Sequence, residues 1–332
     1  MRLKGGMKVK QSKDARMFII AELVLAALVV VFITLLFSDL KPENKIAVIL
    51  NDPGDGKWEP CIEGIQRCAK NSGINVVISN AADINNAQAL KTLIDDLKKN
   101  GVNAIIMENV PRGDGETLIR SYAKEMPIAV LDEYNPEDSP ISYVGPDNYE
   151  MGKALARSVI DDYAGNLEGK TVGIIARSYD LSSDAKRDEG FCEALKESGA
   201  KVAWKFALDT EKDGMAGIKS YIADHKKVNV IVALDSTILE SITEAAMAKK
   251  VHGALIYGVG NSEKAVYYLD HEHIVHMAVA DGYSMGYDAC NEVKSKLMNR
   301  SYRMQDKPVE FRMLTQNDLF LADNAEFLFT YE

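Results

Sequence analysis

The sequence has 332 residues, of which 47% are hydrophobic and 27% are charged. This composition predicts a folded chain with a large core and enough length for two domains or lobes, and it excludes a disordered chain or a short disulfide scaffold. The formal net charge of -10 argues against a protein that binds nucleic acid by neutralising phosphates. We therefore expect no nucleic acid partner.

The N-terminus divides into a basic tail and an apolar run. Residues 1–16 contain six basic residues and one acid, whereas the 22 residues 17–38 contain Glu22 as their only ionisable side chain. At about 1.5 Å per residue, a helix of this length crosses a hydrocarbon core roughly 30 Å thick. With the positive-inside bias, the sequence predicts a cytoplasmic tail (1–16), a single-pass membrane anchor (17–38) and an extracytoplasmic domain from about residue 45.

Two other interpretations of the apolar run remain open. A cleaved signal peptide has an apolar region of about 7–15 residues that ends in a small-x-small site, but this run is longer and is followed by Asp39. A buried helix of a soluble protein usually keeps a polar face, which this run lacks. We therefore favour an uncleaved signal anchor.

Four cysteines lie beyond the apolar run. Cys61 and Cys68 share one face of a predicted helix, where their Cα atoms are about 10 Å apart and beyond disulfide reach. Cys192 and Cys290 fall on two other predicted helices. We expect all four to be small core residues.

From residue 45 onward, short apolar runs alternate with amphipathic segments. Runs that are apolar on both faces and alternate with helices are typical of parallel sheets covered by helices on each side. The sequence therefore predicts an α/β fold. The predicted strands are 46–50, 76–79, 104–107, 128–131, 171–176, 202–206, 228–234, 254–259 and 274–280.

Polar and aromatic residues follow many of these runs. Ligands bind beyond the carboxyl ends of the strands in such sheets. Carboxylates, amides and aromatic rings together suit a sugar, whose hydroxyls take hydrogen bonds and whose ring stacks on an aromatic face. Asp and Asn also commonly begin turns and cap helices at such places. The strand-end residues include Trp58, Asp132, Tyr134, Arg177, Asp235, Asn261 and Asp281.

The order of these segments resembles the type I periplasmic binding proteins of the ribose-binding kind, a fold also shared by the effector domains of LacI-type repressors. The resemblance covers roughly residues 45–332. A helix-turn-helix is missing and the apolar run takes its place, which disfavours the repressor branch. The segments that carry the resemblance are 45–51, 101–106, 127–132, 143–156, 187–191, 228–235 and 257–261.

The resemblance implies two doubly wound parallel-sheet lobes, joined by three crossings, with a ligand held between them and a hinge closure on binding. We expect the crossings near Asp147, Asp281 and Lys307. Lobe 1 is then 45–147 plus 281–306, and lobe 2 is 148–280 plus 307–332.

The family's cleft positions carry over to this sequence in part. Trp58 stands where an aromatic ring stacks on the sugar, and Asp132 and Asp235 stand where polar side chains take its hydroxyls. Three positions depart from the family pattern: the sugar-clamping Arg aligns with Ala185, an Asp with Gly260, and a Gln near Ala280. The second tier of expected ligand-binding residues is Arg177, Arg187, Tyr134, Asn261 and Asp281, and Arg187 is equally suited to pair with a nearby carboxylate.

We expect neither catalysis nor a cofactor. The sequence gathers His271, His273 and His276 at a turn that enters a strand. His271 and His273 are alternate residues and point to one side, whereas His276 points to the other, so a metal site is disfavoured. The Gly-containing segments match neither a phosphate loop nor a dinucleotide fingerprint.

The sequence thus predicts a membrane-tethered solute-binding protein that captures a small polar ligand, most simply a sugar, and presents it to an ABC transporter permease or a sensor histidine kinase. Two alternatives stay open. One is a lobe pair that binds no ligand and serves protein interaction or sensing, since function lies in the site and not in the fold. The other is a tethered carbohydrate hydrolase that uses two cleft carboxylates.

Overall fold

The computed structural model describes residues 7–38, 44–82, 84, 86–108, 114–132, 140–179, 181–208, 214–248, 251 and 253–328. The chain forms two compact units, Met1–Glu43 and Asn44–Glu332.

The first unit contains helix α1 (Met7–Ser38). Every side chain from 17 to 33 is exposed, including the large apolar ones such as Phe18 and Phe32. Within the described part of the chain, no helix is both long and apolar enough to cross a membrane. The membrane anchor stays a prediction from the sequence.

The second unit alternates strands and helices, which confirms the predicted α/β fold. Its strands are β1 (Lys45–Leu50), β2 (Asn75–Asn80), β3 (Ala104–Met107), β4 (Ile128–Leu131), β5 (Ser142–Gly145), β6 (Thr171–Ala176), β7 (Lys201–Ala207), β8 (Val230–Ala233), β9 (Leu255–Val259), β10 (His276–Ala280), β11 (Lys307–Pro308) and β12 (Phe311–Leu314). Its helices are α2 (Glu59–Ser72), α3 (Ala87–Lys99), α4 (Asp114–Tyr122), α5 (Asn148–Asp162), α6 (Ser182–Leu195), α7 (Gly214–Asp224), α8 (Ser236–Met247), α9 (Glu263–Asp270), α10 (Gly282–Met298) and α11 (Ala322–Leu328).

The described strands form two six-stranded sheets. The order is β11-β5-β4-β3-β1-β2 in the first sheet and β12-β10-β9-β8-β6-β7 in the second. All pairs are parallel except β10 with β12. We call each sheet with the helices packed on it the first lobe and the second lobe.

The chain passes between the two sheets three times: after β5, after β10 and between β11 and β12. Lys307 and Pro308 pair with Val144 and Gly145 of the first sheet, whereas residues 307–332 were predicted from the sequence to lie in the second lobe. The strands β5, β11 and β12 were also missing from the predicted set. They are short, and β12 carries Arg312 between apolar residues, so hydrophobic pattern alone did not identify them.

Both faces of the central strands are buried, as a parallel sheet between two helical layers requires. In β1, Ile46, Val48 and Leu50 pack on the side of α2 and α10, whereas Ala47 and Ile49 pack on the side of α3 and α4. This alternation explains why the strand is an unbroken apolar run in the sequence.

Glycines bring two helix pairs into close contact beside the crossings. A Cβ atom at Gly152 of α5 would collide with the carbonyl oxygen of Arg187 in α6, and one at Gly190 would collide with that of Tyr149. A Cβ atom at Gly64 of α2 or at Gly286 of α10 would likewise collide with a backbone carbonyl oxygen of the other helix. The α5–α6 contact fixes the backbone that carries Arg187.

Candidate functional site

A cleft lies where the carboxyl ends of strands from both sheets face each other. Its cavity measures about 60 Å³, far below the roughly 300–1,000 Å³ of most small-molecule pockets. Charged side chains of the two lobes fill much of the space between the strand ends. The cavity is lined by Lys57, Trp58, Glu108, Leu131, Asp132, Arg177, Ser183, Arg187, Asp235, Ser236, Val259, Gly260, Asn261, Ala280 and Met285.

A short 3₁₀ turn after β1, Gly56–Trp58, supplies the first lobe's cationic and aromatic groups. The Asp55 carboxylate caps the turn by accepting a hydrogen bond from the Lys57 amide at 3.0 Å. Trp58 is 4% exposed, and its indole Nε1 has no hydrogen-bond partner among the described residues. The turn therefore points both side chains inward, to the cleft.

Two cations and two carboxylates meet at the centre of the cleft. Lys57 Nζ lies 3.6 Å from Glu108 Oε1 and 3.8 Å from Asp235 Oδ2. Arg177 Nη1 donates a hydrogen bond to Glu108 Oε1 at 3.1 Å, and its Nε lies 3.9 Å from Asp235 Oδ2. Lys57 and Glu108 belong to the first lobe, and Arg177 and Asp235 to the second. Ion pairs therefore join the two lobes through the cleft.

A second ion pair joins the lobes at the side of the cleft. Arg187 Nη2 donates to both carboxylate oxygens of Asp132, at 2.9 and 2.7 Å. Its Nε donates to Asn148 Oδ1 at 2.7 Å, and its Nη1 donates to the Leu234 carbonyl at 2.9 Å. Asp132 has a φ of 55°, in the left-handed region where a non-glycine residue is strained. The arrangement holds Asp132 in this conformation at the end of β4.

The charges of the central group shift one another's pKa values. Burial alone would raise the pKa of Asp235, but Lys57 and Arg177 lower it well below its ordinary value. Burial would also lower the pKa of Lys57, but Asp235 and Glu108 raise it overall. The lysine and the aspartate therefore stay charged together near neutral pH.

Asp184, in the first turn of α6, behaves in the opposite way. Burial, followed by the charge of Asp235, raises its pKa to about 7 even though Arg187 and Arg177 lie nearby. Its Oδ2 accepts hydrogen bonds from the amides of Arg177 and Ser178, at 2.7 and 3.0 Å. Asp184 thus holds the loop that carries Arg177.

The structure brings together six of the eight predicted ligand-binding residues: Trp58, Asp132, Arg177, Arg187, Asp235 and Asn261. Asp281 caps α10 and lines a separate groove of about 720 Å³ with Tyr283 and Arg312. Tyr134 lies outside the described residues. The ligand role of each remains a prediction.

Four residues of the site were not predicted from the sequence: Lys57, Glu108, Asp184 and Asn148. Lys57 and Glu108 follow predicted strands β1 and β3, so the same strand-end rule that selected Trp58 and Asp132 also applies to them. Asn148 and Asp184 lie in the first turns of helices, where the sequence pattern gives only a capping role.

The histidine cluster does not converge on one point. His276 lies 3.2 Å from the Asp162 carboxylate, and His271 Nδ1 contacts its own helix at Tyr267 O. Among the described residues, no group of three or more His, Cys, Asp or Glu is placed to hold a metal ion.

Residues 46–301 match the family model described as the periplasmic binding protein domain. The chain belongs to this family. No sequence among the curated proteins matches it.

Solved structures share the fold of this family member at low sequence identity. A solute-binding protein of an ABC transporter from Agrobacterium vitis, bound to α-D-tagatopyranose, has a TM-score of 0.74 and 15% identity over 87% of this chain and 100% of that one. A carbohydrate transporter solute-binding protein from Agrobacterium radiobacter, in complex with D-arabinose, has a TM-score of 0.73 and 18% identity over 86% and 99%. The XylFII-LytSN complex contains a chain with a TM-score of 0.70 and 18% identity over 83% and 99%.

Proposed function

We propose that this chain is a membrane-tethered, extracytoplasmic solute-binding protein that takes up a small polar ligand, a sugar or sugar derivative, between its two lobes. The observation that carries the proposal is the convergence of Trp58, Asp132, Arg177 and Asp235, from both sheets, on one cleft. Membership of the periplasmic binding protein domain family supports it.

The chemistry of the cleft favours a sugar. Carboxylates accept hydrogen bonds from hydroxyls, and guanidinium groups donate hydrogen bonds to hydroxyl and ring oxygens. The indole of Trp58 offers both an apolar face and a donor, Nε1, that has no partner among the described residues. Several solved structures of the same fold are described as complexes with D-arabinose or α-D-tagatopyranose.

The tether rests on the sequence. The apolar residues 17–38 follow a basic tail, and they lie in helix α1. Protease added to intact cells is expected to digest the unit Asn44–Glu332, and complete protection would refute the proposed topology. Mass spectrometry of the mature N-terminus is the companion test, since loss of residues 1–38 would indicate a secreted protein.

In this proposal, the protein delivers its ligand, or reports that the ligand is bound, to a membrane partner. This partner is either an ABC transporter permease or a sensor histidine kinase. Solved structures of the same fold include a solute-binding protein of an ABC transporter and a chain of the XylFII-LytSN complex. Cross-linking in intact cells, followed by mass spectrometry of the captured proteins, distinguishes the two partners. Capture of neither class would refute this part of the proposal.

The binding proposal is tested by calorimetric titration of the full chain, in detergent, with a panel of pentoses and hexoses. In a closed cleft, a hydrogen bond to a charged group contributes about 1.5–3 kcal/mol, so Asp235→Asn is expected to weaken binding roughly tenfold to a hundredfold. Asp96→Asn is the matched control, because Asp96 is an exposed carboxylate on α3. Absence of binding by every sugar would refute a sugar ligand.

One observation favours a second function, a protein-interaction module that takes no solute. The cavity is small, and charges that line it already pair with each other across the lobes, Lys57 with Asp235 and Arg177 with Glu108. This alternative predicts that the chain binds its membrane partner with equal affinity in the presence and absence of every sugar of the panel. A sugar-dependent change in that affinity would exclude it.

A further inference from the structure

Lys57 occupies the part of the cleft that a ligand would need. Its ammonium lies between one carboxylate of each lobe, Glu108 at 3.6 Å and Asp235 at 3.8 Å, and 5.3 Å from the centre of the Trp58 ring. The two carboxylates are the hydrogen-bond acceptors of the cleft centre, and the indole is its aromatic surface. The lysine side chain therefore makes the contacts that we expect of a bound ligand.

The backbone of Lys57 is held by hydrogen bonds, whereas its side chain is a flexible chain of four carbons that ends in the ammonium. The Lys57 amide donates to Asp55, and its carbonyl oxygen accepts a hydrogen bond from Asn261 Nδ2 of the second lobe at 2.9 Å. Four carbons separate the Cα from the ammonium, so the charge can leave the cleft without movement of the turn. The distances from the Lys57 ammonium to its carboxylates are longer than the distance between Arg187 and Asp132. The ion pair of Lys57 with Asp235 is therefore a weaker link between the lobes than that of Arg187 with Asp132.

The cavity beside Lys57 is lined by polar groups that the lysine does not satisfy. Its walls include Trp58 and Ser236, 4% and 5% exposed, whose Nε1 and Oγ have no hydrogen-bond partner among the described residues. A buried polar group without a partner costs about 1–3 kcal/mol. The lysine satisfies the carboxylates but leaves these two groups for a polyhydroxyl ligand to bind.

We propose that Lys57 is an internal, displaceable occupant of the cleft that pairs with Glu108 of its own lobe, links the lobes through Asp235, and sets the size and affinity of the ligand that binds. A ligand larger than the cavity of about 60 Å³ enters only when the lysine side chain moves out, so its binding free energy is reduced by the lost ion pairs. This inference rests on the proposed ligand-binding function of the same cleft.

The test compares three variants of the full chain in detergent. Lys57→Ala removes the side chain beyond Cβ, Lys57→Met keeps most of its length without the charge, and Lys70→Met is the control because Lys70 is exposed on α2. Calorimetric titration with D-arabinose, D-tagatose, D-glucose, D-galactose and D-xylose measures affinity. We expect Lys57→Ala to bind at least one of these sugars ten times or more tightly than the wild type, and Lys70→Met to match the wild type.

Hydrogen–deuterium exchange of the same variants measures the link between the lobes. The segments around Lys57 and Asn261 touch across the cleft, so both are expected to exchange faster in Lys57→Met than in the wild type and in Lys70→Met. Tighter sugar binding by Lys57→Ala supports the role of Lys57 as a displaceable occupant, and faster exchange in Lys57→Met supports its role as a link between the lobes.

Two results would overturn the inference. If Lys57→Ala binds sugar more weakly than the wild type, Lys57 is itself a ligand contact, and the proposed function stands without this role. If affinity and exchange are both unchanged, Lys57 neither obstructs the cleft nor links the lobes. If no chain binds any sugar while exchange rises in Lys57→Met, the linking role stands and the sugar-binding proposal fails.

Discussion

Replacement of Arg187 with Met is expected to destabilise the unit Asn44–Glu332 by about 3–5 kcal/mol. Arg187 is 3% exposed and is hydrogen-bonded to Asp132, Asn148 and Leu234. Methionine fills much of the same apolar space but donates no hydrogen bond.

The magnitude follows from what the variant leaves behind. Removal of one member of a buried ion pair costs about 3–5 kcal/mol because the other charge stays without a partner. The Asp132 side chain is 27% exposed, so water compensates part of its loss. Asp184 is 1% exposed, and its carboxylate loses a cation 3.8 Å away. Partial hydration of one carboxylate and full burial of the other keep the expected cost within this range.

Urea denaturation of residues 44–332, followed by tryptophan fluorescence, measures the free energy of unfolding. Lys186→Met is the control, because Lys186 is the preceding residue of α6 and its ion pair with Glu189 is exposed, so its loss costs about 0–1 kcal/mol. A loss below about 1 kcal/mol in Arg187→Met, or one equal to that of Lys186→Met, would refute the reasoning.

Two further predictions concern the same helix pair. Because the pKa of Asp184 is raised from 3.8 to about 7, the folded protein keeps a proton that the unfolded chain releases between these values, so this group makes wild-type stability fall as the pH rises through that window. Asp184→Asn is expected to remove this decline in stability. Urea midpoints measured across the same pH window check the prediction, and an unchanged slope of midpoint against pH would contradict the assignment. Gly152→Ala is expected to destabilise the fold by about 1–3 kcal/mol, because the new Cβ meets the Arg187 carbonyl, although alanine usually favours a helix by about 1 kcal/mol. Thermal melting followed by circular dichroism checks this, and a raised melting temperature would show that the two helices have room for the methyl group.

The α/β fold was predictable because its central strands are buried on both faces. Strands such as β1 and β8 appear as unbroken apolar runs, and the helices between them are amphipathic. The short strands β5, β11 and β12 were not predictable in this way, since a strand of two to four residues has no distinctive pattern. Their partners are set by contacts distant in the sequence.

The positions of the cleft residues were predictable in part, because they follow parallel strands. The pairing of those residues was not. The sequence suggested that Arg187 would either bind ligand or pair with a carboxylate, and only the structure shows it on Asp132 of the other lobe. The inward direction of Lys57 depends on the 3₁₀ turn capped by Asp55, and a charged residue next to Trp58 in the sequence gives no sign of burial.

The central claim is that a solute binds in the cleft beside Trp58, and intrinsic fluorescence tests it most directly. The chain has two tryptophans. Trp204 lies on the edge strand β7, donates its Nε1 hydrogen bond to the Lys226 carbonyl, and is not among the described residues that line the cleft. Trp204→Phe leaves Trp58 as the only reporter, and Trp58→Phe leaves only Trp204. Titration of the two variants with the sugar that binds the full chain is predicted to change the emission of Trp204→Phe in a saturable way and to leave that of Trp58→Phe constant. An equal change in both variants, or a change only in Trp58→Phe, would contradict the account.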